Sequence, residues 1–313
     1  MPIKKDIVVA AYRDFLQREP ESLDVINLHA ETATSPTELI KSIVSSEEFK
    51  RSVYLAQVRK DYEQPIAAID VEVSKPVMTQ LMERVQREWR KLGENDPYWS
   101  VLSNEAFRNS KMSEQVRKQF LATGLESAEL IERFEARSQV NPKRGICFEL
   151  GCGVGRVTYY LSKKFQAVIA ADISPGNIEL CKQNMETLGV KNVEYLLINE
   201  LSAYEAIPPF DFLYSIIVLQ HNTPPVQRFI IDQLATKIRP GGRCLFQTAA
   251  WLPDYSFSVM RYLASPEEVF ELHAIPMPTV LRVLQARGIH LLEVSPDPLT
   301  GLAGSFTYFG EKI

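Results

Sequence analysis

The sequence lacks long apolar runs, a surplus of either charge and paired cysteines, and each absence removes a class of function. No stretch approaches about 18 apolar residues, so no segment is expected to span a bilayer as a helix. Against 35 Lys and Arg stand 39 Asp and Glu, a net charge of −4. Nothing in that balance draws the chain toward nucleic acid or an anionic membrane surface. The four cysteines, at 147, 152, 181 and 244, show no metal-ligand spacing and fall in expected strands, a glycine turn and a helix. They read as reduced thiols of a cytoplasmic protein. At the N-terminus, Arg13 and Asp14 interrupt MPIKKDIVVAAYRD before a signal-peptide core forms. Histidine is scarce as well, with only His29, His221, His273 and His290. What remains, 45% hydrophobic and 24% charged over 313 residues, is the composition of a soluble globular chain long enough for two domains.

The most informative stretch is Cys147 to Arg156, CFELGCGVGR. Ile146, Phe148 and Leu150 suit a buried strand, with Glu149 at its end and glycines following at 151, 153 and 155. Such a turn lets a ligand approach bare backbone, and a helix opening near Arg156 points its free N–H groups at the same crevice. In an open α/β sheet this is where a nucleotide-like ligand binds. The dinucleotide fingerprint G-x-G-x-x-G is not met, because its third glycine position holds Arg156. A carboxylate at 149 repels a pyrophosphate and suits an ammonium group. A second buried strand, Ala167 to Asp172 (AVIAAD), also ends in an acid, placed to accept hydrogen bonds from a ribose diol.

The run ELGCGVGR followed by VIAADIS resembles the first two motifs of class I S-adenosylmethionine-dependent methyltransferases. The resemblance implies an α/β fold: a doubly wound, mostly parallel seven-stranded sheet in the order 3-2-1-4-5-7-6, its final strand antiparallel. It also implies S-adenosyl-L-methionine as cofactor and S-adenosyl-L-homocysteine as product. Glu149 and the turn residues Gly151, Cys152, Gly153 and Gly155 would hold the methionine part. Asp172 would hold the ribose hydroxyls, and Ile173 would pack on adenine. Family members often read the adenine amino group with an acid after the third strand, where this chain has Asn199 and Glu200. Gln220 is a further expected cofactor contact, and Arg156 is left unassigned.

Around this core, apolar periodicity predicts helices over 7–18, 22–30 and 36–45, with another opening at Ser46 and running through Val53. The pattern YRDFLQREP…ELIKSIVSSEEF resembles a small bacterial helical domain of unknown function, often found beside glycosyltransferases. That resemblance implies a protein partner or a glycan-handling complex, whereas the periodicity alone implies only a bundle that buries its own core. Residues 56–75 show no sustained period and read as a linker. A helix is expected over 77–92, capped by Gly93. The expected domains are therefore 1–60, a helical accessory domain; 61–138, a linker and helical cap; and 139–313, the methyltransferase domain. Strands are expected at 145–150, 167–172, 193–198, 211–219, 242–248, 289–294 and 305–309. RKLGENDPYWSVLS resembles a bacterial methyltransferase subset linked to polysaccharide or glycolipid biosynthesis, in which a helical cap closes over the cofactor. Trp99 is then expected to stack on a sugar or cover the cofactor, or else to plug cap against core.

Methyl transfer to an alcohol needs a group to take the hydroxyl proton, and His is the natural choice. His221, in SIIVLQHNTPP after the fourth strand, lies where loops beyond strand ends line the crevice, and it is the candidate base. The long aromatic insertion 251–278 reads as a lid over the acceptor, with Asp254, Tyr255, Arg261, Tyr262, Glu271 and His273 as candidate contacts. His29 and His290 default to structure, and no acidic cluster calls for a metal. The expected activity is O-methylation of a hydroxyl on a bacterial saccharide or glycolipid. Alternatives are a small metabolite or protein side chain as acceptor, or a non-catalytic cofactor-binding module in a glycan-assembly complex. Nucleic acid is not an expected partner, since QHNTPP replaces the N-P-P-Y-type tetrapeptide of amino-methylating enzymes.

Overall fold

The structure, a computed structural model, describes residues 3–16, 18–50, 68–266, 270–297, 301–302 and 304–313. The chain divides into two compact units, 1–66 and 67–313. In the first, α1 (Lys5–Leu16), α2 (Leu23–Thr32) and α3 (Pro36–Ser45) bury Val8, Tyr12, Leu39 and Ile43 among themselves. Ser22 and Ser35 cap α2 and α3, each accepting a backbone N–H three residues on, which satisfies donors the helix itself cannot. His29 is a structural residue here, with Nε2 3.0 Å from the Tyr12 hydroxyl. The far part of the helix expected from Ser46, and most of the expected linker, lie outside the described residues.

The second unit is a seven-stranded sheet with helices on both faces. Its strands are β1 (Ile146–Leu150), β2 (Ala167–Asp172), β3 (Val193–Leu197), β4 (Phe210–Ser215), β5 (Ile238–Ala249), β6 (Ile289–Pro296) and β7 (Ser305–Lys312). They lie in the order β3-β2-β1-β4-β5-β7-β6, as the resemblance implies. The first five are parallel, and β7 enters antiparallel between β5 and β6. The middle strands β1, β2 and β4 are buried almost throughout, which is why they read as continuous apolar runs. Register sets Glu149 beside Ala170 of β2 and Tyr214 of β4.

In this unit, among the described residues, the α-helices ahead of β1 are α4 (Lys75–Asn95), α5 (Pro97–Val101), α6 (Glu114–Ala122) and α7 (Gly124–Arg137). The crossovers use α8 (Thr158–Lys164), α9 (Pro175–Thr187), α10 (Leu201–Glu205) and α11 (Pro224–Lys237), with α12 (Val259–Ala264) and α13 (Met277–Ala286) after β5. Among the described residues no helix is long and apolar enough to cross a membrane, and the four cysteines are buried free thiols.

Several expected boundaries are corrected. Helix α4 runs through Gly93 rather than ending there. A Cβ at 93 would sit 2.1 Å from Ser174 Oγ, so this glycine serves a close crossing of α4 over the start of α9. The described part of the expected linker is not a linker. Asp70 N donates to the Phe257 carbonyl, Phe257 N to the Ala68 carbonyl, and Asp70 Oδ2 accepts Val259 N, so residues 68–70 strap the insertion. Strand β4 stops at Ser215 instead of 219, and β5 begins at Ile238, ahead of the Pro240–Gly241 turn.

Candidate active site

A cavity of about 380 Å³ opens at the carboxyl ends of β1, β2 and β4, the usual ligand crevice of a doubly wound sheet. One end of it is the glycine turn. Gly151 and Gly153 stand at φ 74° and 53°, a region that penalises any Cβ. A Cβ at Gly151 would meet Val218 at 2.3 Å, and one at Gly153 would meet Val101 of α5 at 2.4 Å. The turn is thus bare both for a ligand and for the helix lying on it. Gly151 N and Cys152 N donate to the Ala171 carbonyl at 2.7 and 3.0 Å, fixing the turn to the end of β2.

Two buried carboxylates flank the turn. Glu149 accepts a hydrogen bond from Thr158 Oγ1 at 2.6 Å. Burial pushes its pKa up to about 7, against the Thr158 hydrogen bond and the charge of Arg156. Asp172 is also pushed upward by burial, though it accepts Gly153 N and Ser174 N, both at 2.8 Å. Two polar oxygens beside them, Asn177 Oδ1 and Gln220 Oε1, are buried without a protein partner. Arg156 does not pair with Glu149. Its Nη1 donates to the Thr123 carbonyl and Ser127 Oγ, which locks the α6–α7 corner onto the turn.

Bare backbone, two desolvated acids and unpaired acceptors fit a ligand that carries an ammonium group and a diol, as S-adenosylmethionine does. Glu149, Gly151, Cys152, Gly153, Asp172, Ile173 and Gln220 all line the cavity, and Gly155 completes the turn behind them at φ 91°. Asn199 and Glu200 are exposed and do not line it. The chain beyond β3 turns them outward and presents Ile198 and Tyr204 instead, an apolar surface suited to a purine face.

At the other end stands His221, in a 3₁₀ turn (Leu219–His221) just past β4. Its ring lies edge-on to Trp89 of α4 and to Phe270, with centroids 5.1 and 6.1 Å away. Nδ1 is 3.3 Å from the Glu271 carbonyl. A carbonyl only accepts, so the proton sits on Nδ1 and Nε2 keeps its lone pair. Burial lowers the His221 pKa to about 4, so the ring is neutral at pH 7. Backbone strain collects here too. Ile217 (φ 59°) and Phe270 (φ 57°) are two of the four non-glycine residues at positive φ among the described residues, and both line this cavity. Ile217 is held by its N–H to Gln247 Oε1 at 2.9 Å, and Phe270 by its N–H to Glu88.

The residues expected to meet the acceptor from the insertion sit elsewhere. Tyr255 is bonded to His273 Nδ1 at 2.9 Å, and His273 Nε2 lies 3.4 Å from Glu271 Oε2. Tyr262 is buried under the Arg84 guanidinium, 3.9 Å from its ring, while Arg261 and Asp254 are exposed. Arg84 ties this group to α4, donating to the carbonyls of Tyr262, Ser265 and Pro266 and to Glu271 Oε1. Burial alone would raise the Glu271 carboxyl, but His273, Tyr262 and Arg84 together hold it at about 2. The group is a buried clamp whose visible products are the placement of the Glu271 carbonyl and the Phe270 ring. Trp99 is likewise outside the lining, between Arg108 (3.5 Å over its ring) and Phe270 (centroids 5.0 Å apart), where it backs Phe270.

Sequence reasoning missed Trp89, Val85, Phe270, Leu272 and Asn177 as lining residues. A signal existed for two of them. Leu81, Val85 and Trp89 form one helical stripe, of which only Leu81 and Val85 are fully buried, leaving Trp89 to face the cavity.

Comparison with known proteins agrees with this geometry. Residues 148–242 match a family described as a methyltransferase domain. A tRNA/tmRNA (uracil-C(5))-methyltransferase of a Nitratiruptor species is 31% identical over 64 residues, 20% of this chain and 18% of that protein. The chain therefore spans less than a fifth of the curated relatives it matches. Among solved structures, magnesium protoporphyrin IX methyltransferase (ChlM) from Synechocystis PCC 6803 with bound SAH superposes with a TM-score of 0.52 at 14% identity, covering 74% of this chain and all of that one. The same enzyme with bound SAM gives a TM-score of 0.50 at 14% identity, covering 73% of this chain and 97% of that one. Residues 148–242 match the methyltransferase-domain family, and they lie in a sheet with the class I S-adenosylmethionine-dependent methyltransferase fold.

Proposed function

We propose that this chain methylates a hydroxyl group, with His221 as the base and a bacterial saccharide or glycolipid as the acceptor class. When bound, the cofactor supplies a methyl group on a positively charged sulfur, an excellent leaving group. Glu149 and the glycine turn would hold its amino acid part, and Asp172 its ribose. What the chain itself must do is align the acceptor, exclude water and receive one proton.

The observation that carries the reading is the His221–Glu271 carbonyl contact, because it leaves Nε2 without a protein hydrogen bond on a ring that lines the cavity. A base that releases its proton near pH 4 is too weak to ionise an alcohol beforehand. It is strong enough to take the proton as the new bond makes the acceptor oxygen acidic, so His221 acts in concert with transfer. Residues 1–66 we assign to docking a partner of the same glycan-handling system.

The test uses methyl-labelled S-adenosylmethionine with an extract of the source cells. Label that resists protease and nuclease and moves on glycosidase treatment supports the reading, and label in protein or RNA overturns it. His221→Ala should lower turnover by about 10²–10⁴-fold. With the cofactor saturating, so that Glu149 is held ionised, the wild-type kcat/KM for the acceptor should fall only as the pH drops toward 4, where Nε2 becomes protonated. A loss under tenfold, or an acid limb near 6.5, removes His221 from the role of base.

A further inference from the structure

The two ends of the cavity differ in polarity in a way that bears on what the acceptor carries beside its hydroxyl. Full charge is confined to the glycine-turn end. Among the described lining residues only Glu149, Asp172 and Arg156 bear it, and Arg156 is committed to Thr123 and Ser127. The lining rings in contact with His221 are Trp89 of α4 and Phe270 of the insertion. Val85, one turn before Trp89, and Leu272, two residues after Phe270, line the cavity too, and the polar lining residues beside His221 in the chain are the uncharged Gln220 and Asn222. Leu272 is left 40% exposed although it is leucine. Trp89, Phe270 and His221 meet edge to face, with Trp89 and Phe270 centroids 5.7 Å apart. This wall does not belong to an unsupported loop. The Arg84–Glu271 pair holds one side of it and Trp99 backs another.

We propose that this wall binds an uncharged apolar group, aryl or acyl, attached to the acceptor next to the hydroxyl that is methylated, so that bare sugars and anionic conjugates are poor acceptors. The inference rests on the hydroxyl-methylation reading and narrows it. An anion placed here would lose its water with no cation to replace it. A bare polyhydroxyl ring would meet mostly carbon. An apolar group gains instead: covering on the order of 100 Å² of the wall at about 25 cal/mol per Å² corresponds to roughly 70-fold in affinity before ordering costs.

The experiment is calorimetric titration of the full-length protein saturated with S-adenosylhomocysteine, using three matched probes. Phenyl β-D-glucoside carries the apolar group, methyl β-D-glucoside lacks it, and phenyl β-D-glucuronide adds one carboxylate. The phenyl glucoside is expected to bind at least tenfold tighter than either of the others. Trp89→Ala should erase that preference, and Trp89→Phe should keep most of it. Equal affinity for the two glucosides, tightest binding of the glucuronide, a preference untouched in Trp89→Ala, or no binding of any probe each overturns the proposal. The preceding titration with S-adenosylhomocysteine separates this from failure of the methyltransferase reading: if the cofactor product itself does not bind, that reading falls.

Discussion

The glycine-turn end of the cavity and the His221 end are built by opposite means. At the first, most of the groups that matter lie within one β-α-β segment, 149 to 177, where backbone amides hold Asp172 and the Thr158 hydroxyl holds Glu149. At the second, α4, the 3₁₀ turn after β4 and the insertion after β5 each contribute a ring. What holds those rings is a buried ion pair joining residues 84 and 271, with side chains 6% and 12% exposed. A site made from one local segment inherits its geometry from the strand and the turn. A site made from distant segments needs a separate fastening, and here the fastening carries charge in place of apolar packing. The two ends should therefore fail independently.

The sharpest way to break that contrast is to remove the fastening. Arg84→Met would leave Glu271 buried with one fewer partner, and breaking a buried pair costs about 3–5 kcal/mol. The melting temperature should fall accordingly. Turnover should fall by at least tenfold as the Glu271 carbonyl and Phe270 lose their placement, while S-adenosylhomocysteine affinity stays within about threefold. Arg84→Lys keeps the charge but not the fork of donors and should lie between. Titration of the variant decides the matter, because cofactor affinity falling in step with turnover would mean that the two ends are one unit.

Glu149 tests the other end. Glu149→Ala should weaken S-adenosylhomocysteine binding tenfold or more, through loss of a charge-assisted hydrogen bond worth roughly 1.5–3 kcal/mol. Asp172→Ala should do the same, and unchanged affinity in both would remove the cofactor assignment. Because burial raises the pKa of Glu149 in the empty protein to about 7, half the molecules carry a proton there at that pH. An ammonium ligand selects the ionised form, so binding should weaken as pH falls from 7 toward 5.5 and release a proton on the way, an effect on the order of tenfold. Glu149→Gln should abolish that pH dependence. It should also leave the empty protein as stable or more so near pH 8, since the raised pKa means that the ionised carboxylate is destabilising in the empty fold. Calorimetry in two buffers of different ionisation heat, with thermal unfolding alongside, reads each of these.

The same contrast explains what could be read from the sequence. Strand order followed from the resemblance carried by ELGCGVGR and VIAADIS, and the alternation of strands and helices was visible from Ile146 onward. Glu149, Gly151 and Asp172 could be placed because one strand, one turn and one register fix them. Asn199 and Glu200 could not, because the direction of the chain after β3 depends on tertiary packing that turns Ile198 inward. Tyr255, Tyr262 and His273 have the residue types of a substrate site, yet Arg84, 178 residues before Tyr262, draws them into a buried clamp. Gly93 looked like a helix cap because a glycine at that spot usually is one. Only the approach of Ser174 shows why α4 continues past it.

The smallest expected effect concerns the first unit. Val8, Tyr12, Leu39 and Ile43 give residues 1–66 a core of their own, and every described lining residue of the cavity lies between 85 and 302. A chain beginning at residue 67 should then bind S-adenosylhomocysteine within about twofold of the full chain, and the glucoside probes likewise. Loss of cofactor binding in a remainder that is still folded would show that the first unit helps build the glycine-turn end. Loss of the probe preference alone would tie it to the aromatic wall. Retention of both would confine each end of the site to the second unit, where Arg84 of α4 and Glu271 of the insertion both lie.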